Sequence, residues 1–265
     1  MKKVYEIQVL LPYVNWAYYY HAWQLYSPEQ QQQSREEAEQ MLRQLDGTYH
    51  VYALFLLFDA HSNGDDICLA SEGRPCGVLP MLRQQEAGSS CLCLADFIHP
   101  RHDQMGVFAT TVDYGMETDF DHDPYKKMMV QLLADRLAEA AAEKLHEEVR
   151  QTIWGYAPDE HLTMEELHAE RFQGIRPAVG YPSLPDTSLN FLLDRLLQFK
   201  QIGIRLTESG AMKPHASVSG LMISHPASHY FSIGKIGDDQ LRDYAHRRCL
   251  PVETLRKWLV IHTLS

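Results

Sequence analysis

A single domain of the α+β class is what the sequence predicts, and three observations carry that expectation. Strand-like and helix-like stretches follow one another without a regular βαβα alternation, which argues against a doubly wound parallel sheet. No low-complexity linker or internal repeat divides the 265 residues, so one domain over 1–265 is expected. Hydrophobic residues make up 45% and charged residues 22%, the balance of a chain that buries a core.

The elements follow in order. Residues 4–11 alternate well enough for an opening strand, stopped by Pro12. The aromatic run from Tyr18 to Trp23 suits the start of a helix. The glutamines after Pro28 read as a solvated approach to a helix over 34–45, with Gly47 as its stop. Strands are predicted over 49–58, 66–70, 91–98 and 106–113, with turns bearing Gly, Pro and Ser between them. A long helix over 125–154 starts behind Pro124 and carries Leu133, Leu137, Ala141 and Leu145 as its apolar stripe. Thr163 and Glu166 spell a capping box for a short helix over 163–171. The Gly- and Pro-dense residues 174–185 form an irregular loop. A helix near 187–201, strands near 203–208, 216–223 and 229–236, and helices over 237–248 and 251–260 complete the chain. Pro251 suits the first turn of the last helix.

Charge and composition exclude several functions. Lys plus Arg is 24 and Asp plus Glu is 35, so the net charge of 24 − 35 = −11 argues against nucleic acid and leaves room for a cationic ligand. The longest apolar run, 51–58, is far too short to span a bilayer. Glu6 and Gln8 interrupt what would be a signal-peptide core, so the expected compartment is the cytoplasm. Five scattered cysteines make no disulfide framework. Cys91 and Cys93 read as core residues on one face of a strand rather than as metal ligands, since no second Cys or His pair lies at zinc-site spacing.

Phosphate-loop, dinucleotide, zincin and nucleophile-elbow motifs are absent from the sequence. His146-Glu147 begins like a zincin helix but lacks the second histidine. Asp119, Asp121 and Asp123 have neither the central glycine nor the closing glutamate of a calcium loop, and read as a solvated loop. Asp59, His61 and Gly64 spell D-x-H-x-x-G, a cobalamin-ligating signature, but no parallel α/β pattern or Gly-Gly pair follows. The match reads as chance.

From the long helix onward the text becomes specific. Asp135 to Arg150, Trp154-Gly-Tyr-Ala-Pro-Asp-Glu160, Gly174-Ile-Arg-Pro-Ala-Val-Gly-Tyr-Pro182 and Ala216-Ser-Val-Ser-Gly220 stand in that order. Ser224-His-Pro226, Tyr230-Phe231 and Asp243-Tyr-Ala245 follow, with Leu82-Arg-Gln-Gln85 and Leu94-Ala-Asp-Phe-Ile98 upstream. Together these resemble the activation domain of cobalamin-dependent methionine synthase, over nearly the whole chain. The resemblance implies a mixed domain with a twisted, largely antiparallel sheet and surrounding helices. It implies binding of S-adenosylmethionine as methyl donor when an oxidised cobalamin is reductively methylated. The cobalamin would be carried by a partner module of the synthase, and the electron would come from flavodoxin or an equivalent. As the homocysteine, folate and cobalamin modules are absent from this sequence, the expected action is in trans, as a component not catalytic alone. An activator of another corrinoid methyltransferase, or a diverged non-catalytic binding module, are the alternatives.

The resemblance also nominates residues. Arg176 offers a planar guanidinium to the donor's carboxylate, beside backbone groups of Ala178 and Gly180, where glycine is expected to allow close approach. Glu139 reads from periodicity as part of a solvated helix face, and only the resemblance makes it a contact for the ammonium or the cationic half of the donor. Tyr230 and Phe231 bring aromatic rings suited to adenine or sulfonium, one of the pair being expected to face the core as strand neighbours do, and Tyr181 is nominated with the Gly180-Tyr181 motif. Asn15 stands where the family usually has an aspartate, so one negative charge is missing. After Pro182 the chain runs Ser183-Leu-Pro-Asp-Thr187 instead of through the family's cysteine and histidine. No catalytic side chain and no metal ligand is nominated.

Overall fold

The computed structural model describes residues 1–85 and 90–259. Its strands are β1 (Lys2–Tyr5), β2 (Val51–Asn63), β3 (Asp66–Ser71), β4 (Arg74–Pro80), β5 (Asp103–Val112), β6 (Arg205–Leu206), β7 (Met212–Lys213) and β8 (Ser217–Met222). Six of them make one antiparallel sheet in the order β4-β3-β2-β5-β8, with β1 beside the first residues of β2. The two-residue strands β6 and β7 pair only with each other.

Helices cover both faces of the sheet. They are α1 (Ile7–Leu10), α2 (Trp16–Ala22), α3 (Pro28–Leu45), α4 (Gly115–Thr118), α5 (Pro124–Glu148), α6 (Met164–His168), α7 (Leu189–Leu197), α8 (Asp238–Arg248) and α9 (Val252–Trp258). The period-two pattern of β2 explains the layering. Val51, Ala53 and Phe55 point into a core shared with α1, α3 and α5, while Leu54, Phe58 and Ala60 meet α7 and the short turns Leu94–Phe97 and Phe199–Ile202. A third, smaller core joins α8 and α9 to Leu82, Ile233 and Ile236. Among the described residues no helix is long and apolar enough to cross a membrane.

Helix α5 packs on the sheet, and its predicted apolar stripe of Leu133, Leu137, Ala141 and Leu145 is buried. Asp123 caps it by accepting from Lys126 N, and Pro124 occupies the first turn. Its buried alanines let it lie close: Thr110 Oγ1 of β5 donates to the carbonyl of Ala138 at 2.9 Å. The regular helix ends at Glu148, and a π-helical turn carries the chain through Val149–Ile153.

Several expectations are corrected. The opening strand ends at Tyr5, because Ile7 and Leu10 are fully buried at helical spacing in α1. The polar run after Ser27 is already helix: Ser27 Oγ caps Gln30 N at 3.2 Å, so the glutamines sit inside α3. No strand forms over 91–98, since Cys91 takes φ +49°, a left-handed conformation, and Leu94–Phe97 closes a 3-10 turn with Asp96 accepting from Cys93 N. Cys93 is buried and Cys91 is not, so the two thiols do not share a buried strand face. Residues 229–236 also lack a strand. The helix near 187–201 breaks at Gln198, which takes φ +55°. The strand near 203–208 shrinks to β6, and the helix over 163–171 shrinks to α6, with its predicted capping box. Strand β4 escaped detection because Pro75, Gly77 and Pro80 read as turn residues, yet an edge strand tolerates them. The last helix is α9, with Pro251 capping it from outside, and residue 260 of the predicted span lies outside the described residues. The D-x-H-x-x-G stretch is the β2–β3 hairpin, where Asn63 pairs Asp66 and Gly64 turns at φ +59°.

Two local features fix the region that follows. The first is Gly220 in β8. Residues 175–179 pair along the outer edge of this strand, through Leu221 N to Pro177 O at 3.0 Å and Val179 N to Ser219 O at 2.8 Å. A Cβ on Gly220 would collide with the Pro177 carbonyl and stand 2.9 Å from Ala178 Cα. The second is the buried cluster below α5. Arg150, wholly buried, grips Glu160 with contacts of 2.7–3.0 Å, and its guanidinium lies 4.2 Å over the Phe172 ring. His146, also fully buried, shares a hydrogen bond of 3.2 Å with Tyr156 OH and meets Phe172 edge-on. Burial first, then Arg150 and Arg176, hold this imidazole well below its ordinary range.

Both features predict measurable effects. Gly220→Ala should cost about 1–3 kcal/mol by overpacking, read as a lower urea midpoint. Gly77→Ala, whose Cβ would meet only Leu196 Cδ2 at 3.7 Å, should stay within about 0.5 kcal/mol of wild type. Equal losses would show that Gly220 is not specially confined. His146 is neutral in the folded state below the pH at which the unfolded chain takes a proton, so acid favours unfolding. Between pH 6 and 5 wild type should lose up to about 1.4 kcal/mol more stability than His146→Gln. Parallel stability curves would remove His146 as the acid-sensitive group.

Candidate functional site

A cavity of about 540 Å³ opens between α5, the 174–185 loop, the residues leading into α2, and Tyr230-Phe231. That is the size range of small-molecule sites. Its polar wall comes from α5, where Arg136, Glu139 and Glu143 recur at helical spacing on one face. Its opposite wall is the loop paired to β8, which delivers Arg176, Ala178 and Tyr181.

Arg176 lies at the junction of the two walls, with its side chain only 12% exposed. Its Nη2 donates to Glu143 Oε2 at 2.9 Å, and its Nη1 stands 3.9 Å from Glu139 Oε2. Burial works against its charge, but Glu143, Tyr230 and Glu139 outweigh burial and raise its pKa above the ordinary guanidinium value. The backbone N–H of Arg176 donates to Tyr230 OH at 2.9 Å. Tyr181 OH donates to Glu139 Oε1 at 2.5 Å. Burial and the neighbouring Glu139 charge push the Tyr181 phenol up, so it remains a donor. Glu170, at φ +57° on the rim, is also shifted up by burial, which outweighs the pull of Arg176. Arg136 lies 5.4 Å over the ring of Tyr18.

Seven of the eight residues nominated from sequence line this cavity: Asn15, Glu139, Arg176, Ala178, Tyr181, Tyr230 and Phe231. Gly180 does not. It turns the loop at φ +91°, with its N–H bonded to Leu184 O, and a Cβ there would meet only Thr187 Cγ2 at 3.6 Å. A backbone in that left-handed region favours glycine by itself. The solvated face expected around Glu139 is also corrected, because every residue of α5 from Asp135 to Glu148 is at least partly buried and Glu139 faces the cavity. Tyr230 and Phe231 share the cavity wall from an irregular segment, and Phe231 also packs 6.3 Å from Phe97. Asn15 caps α2, its Oδ1 accepting from Ala17 N at 3.1 Å. Ser183, where the chain departs from the family, is buried and on the cavity wall.

Glu143, Arg136, Glu170, His168, Tyr13 and Tyr18 belong to the cavity and escaped nomination. Arg136 and Glu143 were within reach, since they lie three before and four after Glu139 and share its helix face. The others come from short helices and turns, too brief for a periodicity to orient them. Among the described residues no group of three or more His, Cys, Asp or Glu side chains is placed to hold a metal ion.

The comparisons with known proteins bear on the same region. Residues 6–249 match the family described as "Vitamin B12 dependent methionine synthase, activation domain". A solved structure described as "Crystal Structure of the MetH Reactivation Domain bound to AdoHcy" is 38% identical, with a TM-score of 0.94, and the match covers 100% of this chain and 90% of that one. That neighbour is a mixed, mostly antiparallel domain like the one described above. With its sequence matched over most of its length, this chain belongs to the activation-domain family of vitamin B12 dependent methionine synthases.

Proposed function

We propose that the cavity binds S-adenosylmethionine as methyl donor for the reductive methylation of a methionine synthase cobalamin carried by another module. The observation that carries this reading is the nearly buried Arg176 guanidinium, in a cavity lined by carboxylates of α5 and by aromatic rings. S-adenosylmethionine supplies a methyl group on a sulfonium, together with an ammonium, a carboxylate and an adenine ring. Arg176 is the partner for the carboxylate, and Glu139 for the ammonium. Tyr181, Tyr230 and Phe231 offer ring faces to adenine or sulfonium, and Ala178 offers its backbone. The bound AdoHcy in the 38% identical neighbour supports the same ligand class.

Charge supports the reading as well. The carboxylates and guanidinium groups lining the cavity are Glu139, Glu143 and Glu170 against Arg136 and Arg176, so carboxylates outnumber guanidinium groups by 3 − 2 = 1. A donor with ammonium, sulfonium and carboxylate carries one net positive charge, which suits that surplus. We further propose that the chain acts in trans on a synthase and that flavodoxin or an equivalent reductant supplies the electron.

Calorimetric titration with S-adenosylmethionine tests the binding step. Arg176→Ala should weaken binding by at least about tenfold, since truncating one partner of a buried charge pair costs 2–5 kcal/mol or more. Arg176→Lys, which keeps a charge for Glu143 but loses the planar fork, should lose less. Folded wild type that fails to bind at millimolar donor would refute the reading. Restoration of methylcobalamin in an inactive synthase without its own activation domain, given donor and reductant, tests the action in trans.

Asn15 provides the second measurement. Asn15→Asp preserves the cap on α2, since both side chains accept from the first turn, and adds a charge at the cavity wall. A charge-assisted hydrogen bond is worth ~1.5–3 kcal/mol against ~0.5–1.5 for a neutral one, so affinity should rise several-fold. The gain should fade as the new carboxylate protonates in acid. Unchanged affinity at neutral pH, with Arg176→Ala still damaging, would remove Asn15 from the site.

A further inference from the structure

The two carboxylates facing Arg176 are not equivalent. Glu139 is 28% exposed, stands 3.9 Å from Nη1, and already receives the Tyr181 hydroxyl. Glu143, one helical turn further along α5, is 13% exposed and bonded to Nη2 at 2.9 Å. The atoms that complete this second pair are sealed. Arg176 Nε and Glu143 Oε1 are both buried without a hydrogen-bond partner. A buried guanidinium with an unpartnered Nε has little else to fix its rotation, and the bond to Glu143 is the only side-chain hydrogen bond it makes among the described residues.

We propose that Glu143 is a positioning residue: it holds the Arg176 guanidinium by Nη2, so that Nη1 is the donor left facing the cavity for the carboxylate of an amino-acid ligand. This rests on the proposed function and assigns a division of labour within it. Glu139 is the carboxylate that can yield, because its contact with Nη1 is long and its second oxygen is satisfied by Tyr181. Glu143 cannot yield without leaving its own buried carboxylate unpaired and Arg176 with only the longer contact to Glu139. It therefore acts through Arg176 and does not touch the ligand.

The test is a double-mutant cycle read with two ligands on folded full-length protein. S-adenosylhomocysteine carries the amino-acid end, and 5′-methylthioadenosine carries the same nucleoside thioether without it. Glu143→Ala should raise the Kd for S-adenosylhomocysteine by about tenfold or more while moving that for methylthioadenosine by less than about twofold. Glu143→Gln keeps an acceptor for Nη2 and should recover part of the loss, which also guards against a variant that fails to fold. In an Arg176→Ala background, Glu143→Ala should add less than about a further twofold, because its effect passes through the guanidinium. The proposal is overturned if Glu143→Ala binds S-adenosylhomocysteine like wild type, or if both ligands weaken equally. It is overturned too if the two losses add, which would mark a direct contact with the ligand. Wild type that binds neither ligand would overturn the proposed function itself, whereas wild-type binding with any of those three outcomes removes only the role of Glu143.

Discussion

A guanidinium taken out of water has to be neutralised where it lies, and Arg176 is neutralised by a helix that belongs to another part of the chain. Its side chain is nearly closed off, and its counter-charges are Glu143, hydrogen-bonded, and Glu139, further off, both on α5. Separation of the loop from the helix would leave a cation and a carboxylate buried and alone, an arrangement costing several kcal/mol. The distance between the 174–185 loop and α5 is therefore constrained electrostatically as well as by packing. The backbone supplies the complementary constraint. Residues 175–179 pair along β8, and Gly220 gives Pro177 and Ala178 the room to do so.

Helix α5 serves two surfaces at once. Its alanine-rich face lies close enough to β5 for a side chain of the sheet to bond the Ala138 carbonyl. Small residues there bring the opposite edge of the helix, with Arg136, Glu139 and Glu143, within reach of the loop. Below that edge, the π-helical turn redirects the chain so that Arg150 can grip Glu160. His146 meets the Phe172 ring that Arg150 covers, and it feels the charge of both Arg150 and Arg176. The neutral state of His146 avoids a third positive charge close to the two arginines.

The sequence reveals the fold best where one period runs long enough to be unambiguous. The stripe of α5, the apolar strands β2 and β5, and the cap at Thr163 are read correctly because local preference and burial agree. Errors cluster where a few residues fit both periods. Ile7 and Leu10 close a helical turn inside an apparently alternating stretch, and Cys91 leaves the strand region altogether. In β4 the prolines and glycine suit an edge, a property of position in the sheet that no local pattern encodes.

The site shows a different limit. Arg176, Tyr181 and Tyr230 come together because motifs in sequence order correspond to elements that the sheet gathers at one edge, and no spacing rule would join residues 54 apart into the hydrogen bond they make. Periodicity places Glu139 on a polar face but cannot tell water from a polar cavity, since both demand charge on the same side of a helix. Asn15 carries a similar ambiguity. Its cap on α2 alone explains an amide or a carboxylate at that position, because either accepts from the first-turn N–H groups. The choice between the two is then free of the fold and falls to the charge of the cavity, where carboxylates already outnumber guanidinium groups. An asparagine keeps the helix start intact while leaving that surplus no larger. The identity of residue 15 can thus alter the electrostatics of the site without a structural penalty elsewhere.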